Sequence, residues 1–286
     1  MVAIYILKDP RMKILITGST GFIGKNLLEH FSENDCYPFT RGENLYVTLR
    51  KFRPDMVINS AAEIYEPHKM WEPNVEFTKI CLDWLVQNPT KKMIQLGSSI
   101  EYGMLDRAAT ERDPILPVDM YSTTKGMATL MCQGYARQFG LDVTVVRPYS
   151  IFGKYERPHR LFPRLWRAFT MDVPMTLYAG EHDFVYIDDF IHGIDLLVNL
   201  QQPTNGDIVH FASGIQTSNK EVLEIFEKIT GKTSPVEYKP VLAKKFESTV
   251  WKGDTTYARE QYGFSCNYTL EQGIEHFLKT ADYRKI

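Results

Sequence analysis

A glycine-rich turn near the start of the chain restricts its possible folds more than any other feature. Lys13-Ile14-Leu15-Ile16-Thr17 is a short apolar run that leads directly into Gly18-Ser19-Thr20-Gly21-Phe22-Ile23-Gly24. The run reads as a buried strand. The stretch from Gly24 to Phe31, with Leu27, Leu28 and Phe31 spaced for one face, reads as a helix. Between strand and helix each glycine serves a separate purpose. Gly18 permits the tight turn, Gly21 lets the backbone approach a pyrophosphate, and Gly24 lets helix and strand pack closely. The helix start offers free N–H groups and the positive end of a dipole to phosphates. The turn therefore predicts a dinucleotide site lined by Gly18, Thr20, Gly21, Phe22, Ile23 and Gly24.

The rest of the chain alternates in the same way. Strands are predicted at Cys36 to Thr40, Met56 to Asn59, Lys92 to Leu96 and Leu141 to Arg147, with helices between them at Asn74 to Val86 and Ser122 to Phe139. Such alternation predicts an α/β fold, a Rossmann doubly wound parallel sheet with right-handed crossovers. After Arg147 it weakens. Arg160 to Phe169 reads as a helix, and Ser218 with Glu221 and Thr269 with Gln272 read as capping boxes that open two more, the first ending near Gly231. The expected organisation is a dinucleotide-binding domain over 12–150. Residues 151–286 would form mainly a smaller, discontinuous substrate lobe, with some segments returning to the first domain. No role is read for residues 1–11.

The chain of 286 residues is 44% hydrophobic with a formal net charge of −2, the balance of a globular protein with a sizeable core. No basic block points to nucleic acid or an anionic membrane surface, and no apolar run is long enough for a membrane span. The four cysteines, Cys36, Cys81, Cys132 and Cys266, form no CxxC pair. Neither a metal site nor a redox dithiol is expected, and free, buried thiols suit a reducing cytoplasm.

The end of the second strand bears on the cofactor. An Asp or Glu there usually holds the adenine ribose of NAD, but Phe39-Thr40-Arg41-Gly42 carries no acid before Glu43. An arginine can pair with a 2′-phosphate, so NADP(H) is favoured over NAD(H), with Thr40 and Arg41 at the adenosine end.

Tyr121-Ser122-Thr123-Thr124-Lys125 places a phenol and an ammonium four residues apart, on one face of a helix start. The ammonium stabilises the phenolate, so Tyr121 can exchange a proton with a substrate oxygen. Ser98, directly after the fourth strand, can hydrogen-bond the same oxygen.

Taken in order, these landmarks resemble the extended short-chain dehydrogenases/reductases, the nucleotide-sugar epimerase/dehydratase/reductase group. The matching stretches are the glycine turn; Asn59-Ser60-Ala61-Ala62; Ser98 to Gly103; Tyr121 with Lys125; Arg147 to Gly153; and Asp183 to Asp189. The resemblance implies an NAD(P)-dependent oxidoreductase with Ser98, Tyr121 and Lys125 as catalytic triad. Lys125 and Tyr121 would also touch the cofactor, together with Ala61, Ala62 and Tyr149. It further implies a nucleotide-sugar substrate and a homodimer, formed through a helical face that Met127, Leu130, Met131 and Tyr135 fit, although the same residues would equally fit an internal core face.

Departures from the group's patterns narrow the reaction. The 4,6-dehydratases carry an Asp-Glu pair where Ser99 and Ile100 stand, and the GDP-fucose synthases a cysteine where Ile100 stands. Dehydration and that epimerisation are therefore not expected. Gly97 to Gly103 looks like the 4-ketoreductases, which predicts NADPH-dependent reduction of the C4 ketone of a nucleotide-linked 4-keto-6-deoxy sugar. The alternatives are a 4-epimerase that retains NAD and a catalytically silent NADP-binding regulator. Substrate contacts are expected from Glu63, Ser99, Ser150, His159, Arg160, Arg164, Tyr178, His182 and Lys252. His182 stands where many relatives have a diphosphate-binding arginine, and relatives often have another near Lys252.

Overall fold

The computed structural model describes residues 12–233, 235–242 and 250–284. Five strands run parallel: β1 (Lys13–Thr17), β2 (Asp35–Pro38), β3 (Met56–Asn59), β4 (Lys92–Leu96) and β5 (Asp142–Pro148). With β9 (Asp207–Phe211) they form one sheet in the order β2-β1-β3-β4-β5-β9. The central strands are apolar on both faces, as strands covered by helices on both sides must be. The edge strand β2, Asp-Cys-Tyr-Pro, is half exposed. The strand order reverses between β1 and β3, which opens a crevice at their carboxyl ends where ligands bind in such sheets.

The contacts divide the chain into two compact units. The first takes in the chain up to Glu101, Asp119–Arg147 and Ile191–Val209; the second takes in Tyr102–Val118, Pro148–Phe190 and the chain from His210 onward. The excursion Tyr102–Val118 has no counterpart in the boundary expected near residue 150. The first unit holds helices α1 (Phe22–His30), α2 (Leu45–Phe52), α3 (Phe77–Gln87) and α4 (Met120–Phe139). Their apolar faces bury Leu15, Leu49, Val57, Leu82, Met93 and Val143 in one core. One turn of π-helix, Glu72–Glu76, leads into α3. Helix α4 is fixed at both ends. Asp119 and Ser122 close a reciprocal capping box at its start, and Gly140, at φ +66°, takes the left-handed cap that a side chain would strain.

In the second unit β6 (Ser150–Phe152), β8 (Glu181–Tyr186) and β10 (Gln216–Ser218) form a sheet in the order β10-β8-β6. A separate parallel pair joins β7 (Met175–Ala179) to β11 (Val236–Leu242). Helices α5 (Leu161–Met171), α7 (Asn219–Thr230), α8 (Thr256–Tyr262) and α9 (Leu270–Thr280) belong to this unit, and α6 (Ile187–Val198) passes from it into the first. Its core is aromatic: Phe152 stacks on Phe162 at 3.9 Å between ring centres, and Phe184, Phe226 and Phe277 close around Phe162. Two buried carboxylates anchor loops to this framework. Asp183 accepts bonds from the backbone N–H groups of Ser213, Gly214 and Gly253, and Asp189 from those of Asn267 and Tyr268.

Cys81 and Cys132 are buried as expected, whereas Cys36 and Cys266 are half buried. Among the described residues no helix is long and apolar enough to cross a membrane.

Candidate active site

The glycine turn occupies the crevice between β1 and β3. Gly18 sits at φ +67°, and a Cβ there would lie 2.8 Å from the Ala61 nitrogen and the Ser60 oxygen. A Cβ on Gly24 would lie 2.2 Å from the Gly18 oxygen. The turn is therefore a close backbone crossing that side chains at these two positions would break open. Side-chain bonds hold it from three strands. Thr17 Oγ1 donates to Asn59 Oδ1 (2.5 Å) and accepts from the Ala61 N–H, Ser60 Oγ donates to the Thr17 oxygen, and Ser19 Oγ donates to the Phe39 oxygen. Helix α1 starts at Gly21 with no side-chain cap and no acid in its first turn. Its leading N–H groups are thus left for an anion, which fits a dinucleotide pyrophosphate lying in the cradle. Thr20 is exposed at this turn, Phe22, Ile23 and Ala62 are half buried, and Ala61 is buried.

Tyr121 and Lys125 lie in the first two turns of α4, four residues apart on one face. Tyr121 is half buried, while Lys125 is only 2% exposed. Lys125 Nζ donates to the Leu96 oxygen at 2.5 Å, which pins the ammonium to the carboxyl end of β4. Burial pushes Lys125 down to about 8, and Glu101 opposes that shift. Ser98 is half buried two residues past Leu96, so the structure brings Lys125 and Ser98 to the same strand end. Ser99 is 8% exposed and opens a short 3-10 turn, Ser99–Tyr102.

Two features of this unit are not anticipated from the sequence. Asn74 is 1% exposed and links the loop after β3 to α4: its Nδ2 donates to the Glu63 oxygen and to Thr124 Oγ1. Glu101 is wholly buried and paired with Arg147. Asn74 carries no local sequence signal, and although Glu101 and Arg147 fall in two of the landmark stretches, their pairing is not legible because they lie 46 positions apart.

The residues expected to meet substrate are scattered. Glu63 lies in the first unit, and its carboxylate accepts the N–H groups of Ile64 and Tyr65. Ser150, His159, Arg160, Arg164, Tyr178, His182 and Lys252 all belong to the second unit, as does Tyr149. Ser150 is half buried at the start of β6. Arg160 pairs with the buried Glu156 at 3.5 Å, and burial raises Glu156 to about 8. Arg164 donates to the Thr176 oxygen, a structural bond. His159 is exposed and is lowered by partial burial and by Arg160 and Arg157. Tyr178 is exposed on β7, and the His182 ring lies against Phe184. Lys252 is half buried, and its carbonyl accepts from the Ala109 N–H. The Tyr149 ring packs against His210 and against the site of Gly253.

Residues 14–210 match the NAD dependent epimerase/dehydratase family. The chain belongs to that family. It is 25% identical to the low-salt glycan biosynthesis protein Agl12 of Haloferax volcanii, over 92% of this chain and 96% of that one. Among solved structures it is similar to MoeE5 in complex with UDP-glucuronic acid and NAD, with TM-score 0.83, 21% identity and coverage of 93% and 98%. It is likewise similar to UDP-glucuronic acid 4-epimerase from Bacillus cereus in complex with UDP-glucuronic acid and NAD, with TM-score 0.82, 22% identity and coverage of 94% and 98%.

These NAD complexes overturn the expectation of NADP(H). The geometry at the end of β2 agrees with NAD. Arg41, the expected phosphate reader, has 85% of its side chain exposed and lies 3.9 Å from the Glu63 carboxylate. The first acid after β2, Glu43, folds back to the strand end. It accepts from the Tyr37 hydroxyl (2.6 Å), the Thr40 N–H (2.8 Å) and the Thr40 hydroxyl (2.5 Å). Those bonds hold its carboxyl below the usual range, so it is ionised and would repel a 2′-phosphate. Arg41→Ala is accordingly expected to change NAD affinity by less than about threefold in a calorimetric titration, the scale of one exposed contact.

Proposed function

We propose that the protein oxidises and reduces C4 of a nucleotide-diphosphate-linked sugar, with NAD as the hydride partner and without dehydration. The observation that carries this reading is the buried Lys125 ammonium, pinned to the end of β4 one helical turn from Tyr121. NAD, when bound, supplies the hydride acceptor or donor; Gly18, Gly21 and Gly24 would hold its pyrophosphate and Lys125 its nicotinamide ribose. The protein's own residues handle the proton. Tyr121 Oη gives a proton to the C4 oxygen during reduction and takes it back during oxidation. Lys125 stabilises the phenolate that remains, and Ser98 Oγ hydrogen-bonds the same sugar oxygen. Dehydration needs an acid and a base to move a C5 proton and a C6 hydroxyl, and neither Ser99 nor Ile100 offers a titrating group.

Two outcomes share this chemistry. The NAD complexes of the similar structures favour 4-epimerisation, in which the 4-keto intermediate is turned over and reduced on the other face. The look of Gly97 to Gly103 favours net reduction of a 4-keto-6-deoxy sugar. Incubation with UDP- and dTDP-hexoses, and separately with a nucleotide-linked 4-keto-6-deoxyhexose plus NADH, distinguishes them. Interconversion of two hexoses with no net NADH change identifies the epimerase, and stoichiometric NADH loss the reductase. A dehydrated product would contradict the proposal. In either case the rate is expected to fall as pH rises through about 8, because Lys125 loses its proton there and the phenolate loses its counter-charge. A pH profile flat to about 10, near the pKa of an unperturbed lysine, would count against Lys125. The homodimer is retained as part of this reading on Met127 and Leu130, exposed on α4, whereas Met131 and Tyr135 pack inward against the core.

A further inference from the structure

We propose that Glu101 is a positioning residue that ties Ser98, the Lys125 turn of α4 and strand β5 to one buried carboxylate. Four bonds converge on it. Its Oε1 accepts from the Ser98 N–H at 2.7 Å. Its Oε2 accepts from Thr129 Oγ1 at 2.7 Å, and from Arg147 Nε and one terminal guanidinium nitrogen at 2.9 and 2.7 Å. Glu101, Thr129 and Arg147 are each 0% exposed. Thr129 lies one helical turn beyond Lys125 on the same face of α4. The carboxylate also shapes the turn before Ser98: a Cβ on Gly97 would lie 2.6 Å from Glu101 Oε1. Gly97 therefore leaves room for this side chain beneath the strand end.

A buried ion pair rarely adds net stability over an apolar pair of the same volume, so its presence calls for another role. Here the charge stands next to a lysine that must stay protonated. The titratable and charged groups around Lys125 are Glu101 and its partner Arg147, Cys132 and Tyr121 of α4, and Cys81 of α3 behind Cys132. Burial raises both thiols far above neutrality, Cys81 to about 12, so they carry no charge there. Glu101 is the leading group in this set that counters the desolvation of the ammonium.

The inference rests on the proposed roles of Ser98 and Lys125, but its test needs no substrate. Lysines labelled with 13C at Cε are titrated by NMR, with Lys125→Met assigning the signal. Glu101→Gln keeps an acceptor for the Ser98 N–H and removes the charge. Glu101→Asp keeps the charge and shortens the reach. The Lys125 midpoint is expected to fall by about one pH unit or more in the first variant and to stay within about 0.3 in the second. The Ser98 amide is expected to exchange at least about tenfold faster in the aspartate variant only. If Glu101→Gln does not fold, the paired change Glu101→Val with Arg147→Met removes both charges at similar volume, and it should lower the midpoint by a smaller amount, because the repulsion of the Arg147 guanidinium is removed with the carboxylate. An unmoved midpoint in the charge-free variants overturns the inference. Undiminished turnover by Tyr121→Phe overturns instead the catalytic reading, leaving the contacts of Glu101 untouched.

Discussion

Tyr121→Phe is expected to lower kcat by about 10²–10⁴-fold, the range for loss of a positioned general acid–base group. The substitution removes one oxygen from a half-buried ring near the start of α4. The helix itself is held by the Asp119–Ser122 capping box and by the Thr129 bond to Glu101, none of which involves the phenol. The fold should survive the loss of one hydroxyl, NAD affinity should change little, and KM should move little, because the proton is needed only as the C–H bond forms or breaks. Steady-state kinetics beside a thermal melt and an NAD titration separate these effects. Loss of kcat with an intact melt and an intact Kd is the expected pattern. A parallel loss of stability would make Tyr121 a packing residue.

Gly24→Val should weaken NAD binding by at least about 100-fold, or some 2.7 kcal/mol. The clash is with backbone: the new Cβ would lie 2.2 Å from the Gly18 oxygen and 2.7 Å from the Ser19 Cα. No rotamer relieves such a contact, so α1 must move away from β1. That displaces the uncapped N–H groups that follow Gly21 in the first turn of α1 from the pyrophosphate position and breaks the packing that lets Gly18 cross Ala61. The same shift should cost stability, of the order of 1–3 kcal/mol as for other overpacked sites. Calorimetric titration with NAD and denaturant unfolding measure the two effects. Gly21→Ala makes the comparison, since its Cβ would lie 3.1 Å from one oxygen and ask only a small adjustment. Equal losses in both variants would contradict the close-crossing explanation.

Much of the first unit is legible in the sequence because its constraints are local. β1, β3 and β4 fall where the apolar runs predict, since a strand buried on both faces has no other use for such a run. Both C-terminal capping boxes form, at Ser218 with Glu221 and at Thr269 with Gln272. The pattern predicts β2 at Cys36 to Thr40, whereas the strand runs over Asp35–Pro38, as a half-exposed edge lacks a clear pattern. The helix expected from Asn74 is a π turn over Glu72–Glu76 and then α3 from Phe77, where Asn74 bonds to Thr124 across the unit. α4 starts at Met120, two residues before the expected Ser122, because Asp119 caps it.

Residues that act across long separations stay hidden in the sequence. Glu101 meets Arg147 46 positions away, and nothing near Glu101 announces the pairing. Glu43 follows the strand by several residues, and only the fold shows it returning to Tyr37 and Thr40. Arg41 suggests a phosphate partner by its position alone, while its side chain points into solvent.

The central claim, hydride exchange at sugar C4, is tested most directly by isotope transfer. The protein is incubated with NADH deuterated at nicotinamide C4 and a nucleotide-linked 4-keto-6-deoxyhexose, and the sugar is examined by NMR and mass spectrometry. One deuterium at C4 of the recovered sugar is the predicted result. A sugar modified without deuterium, or carrying it at another carbon, would contradict the account.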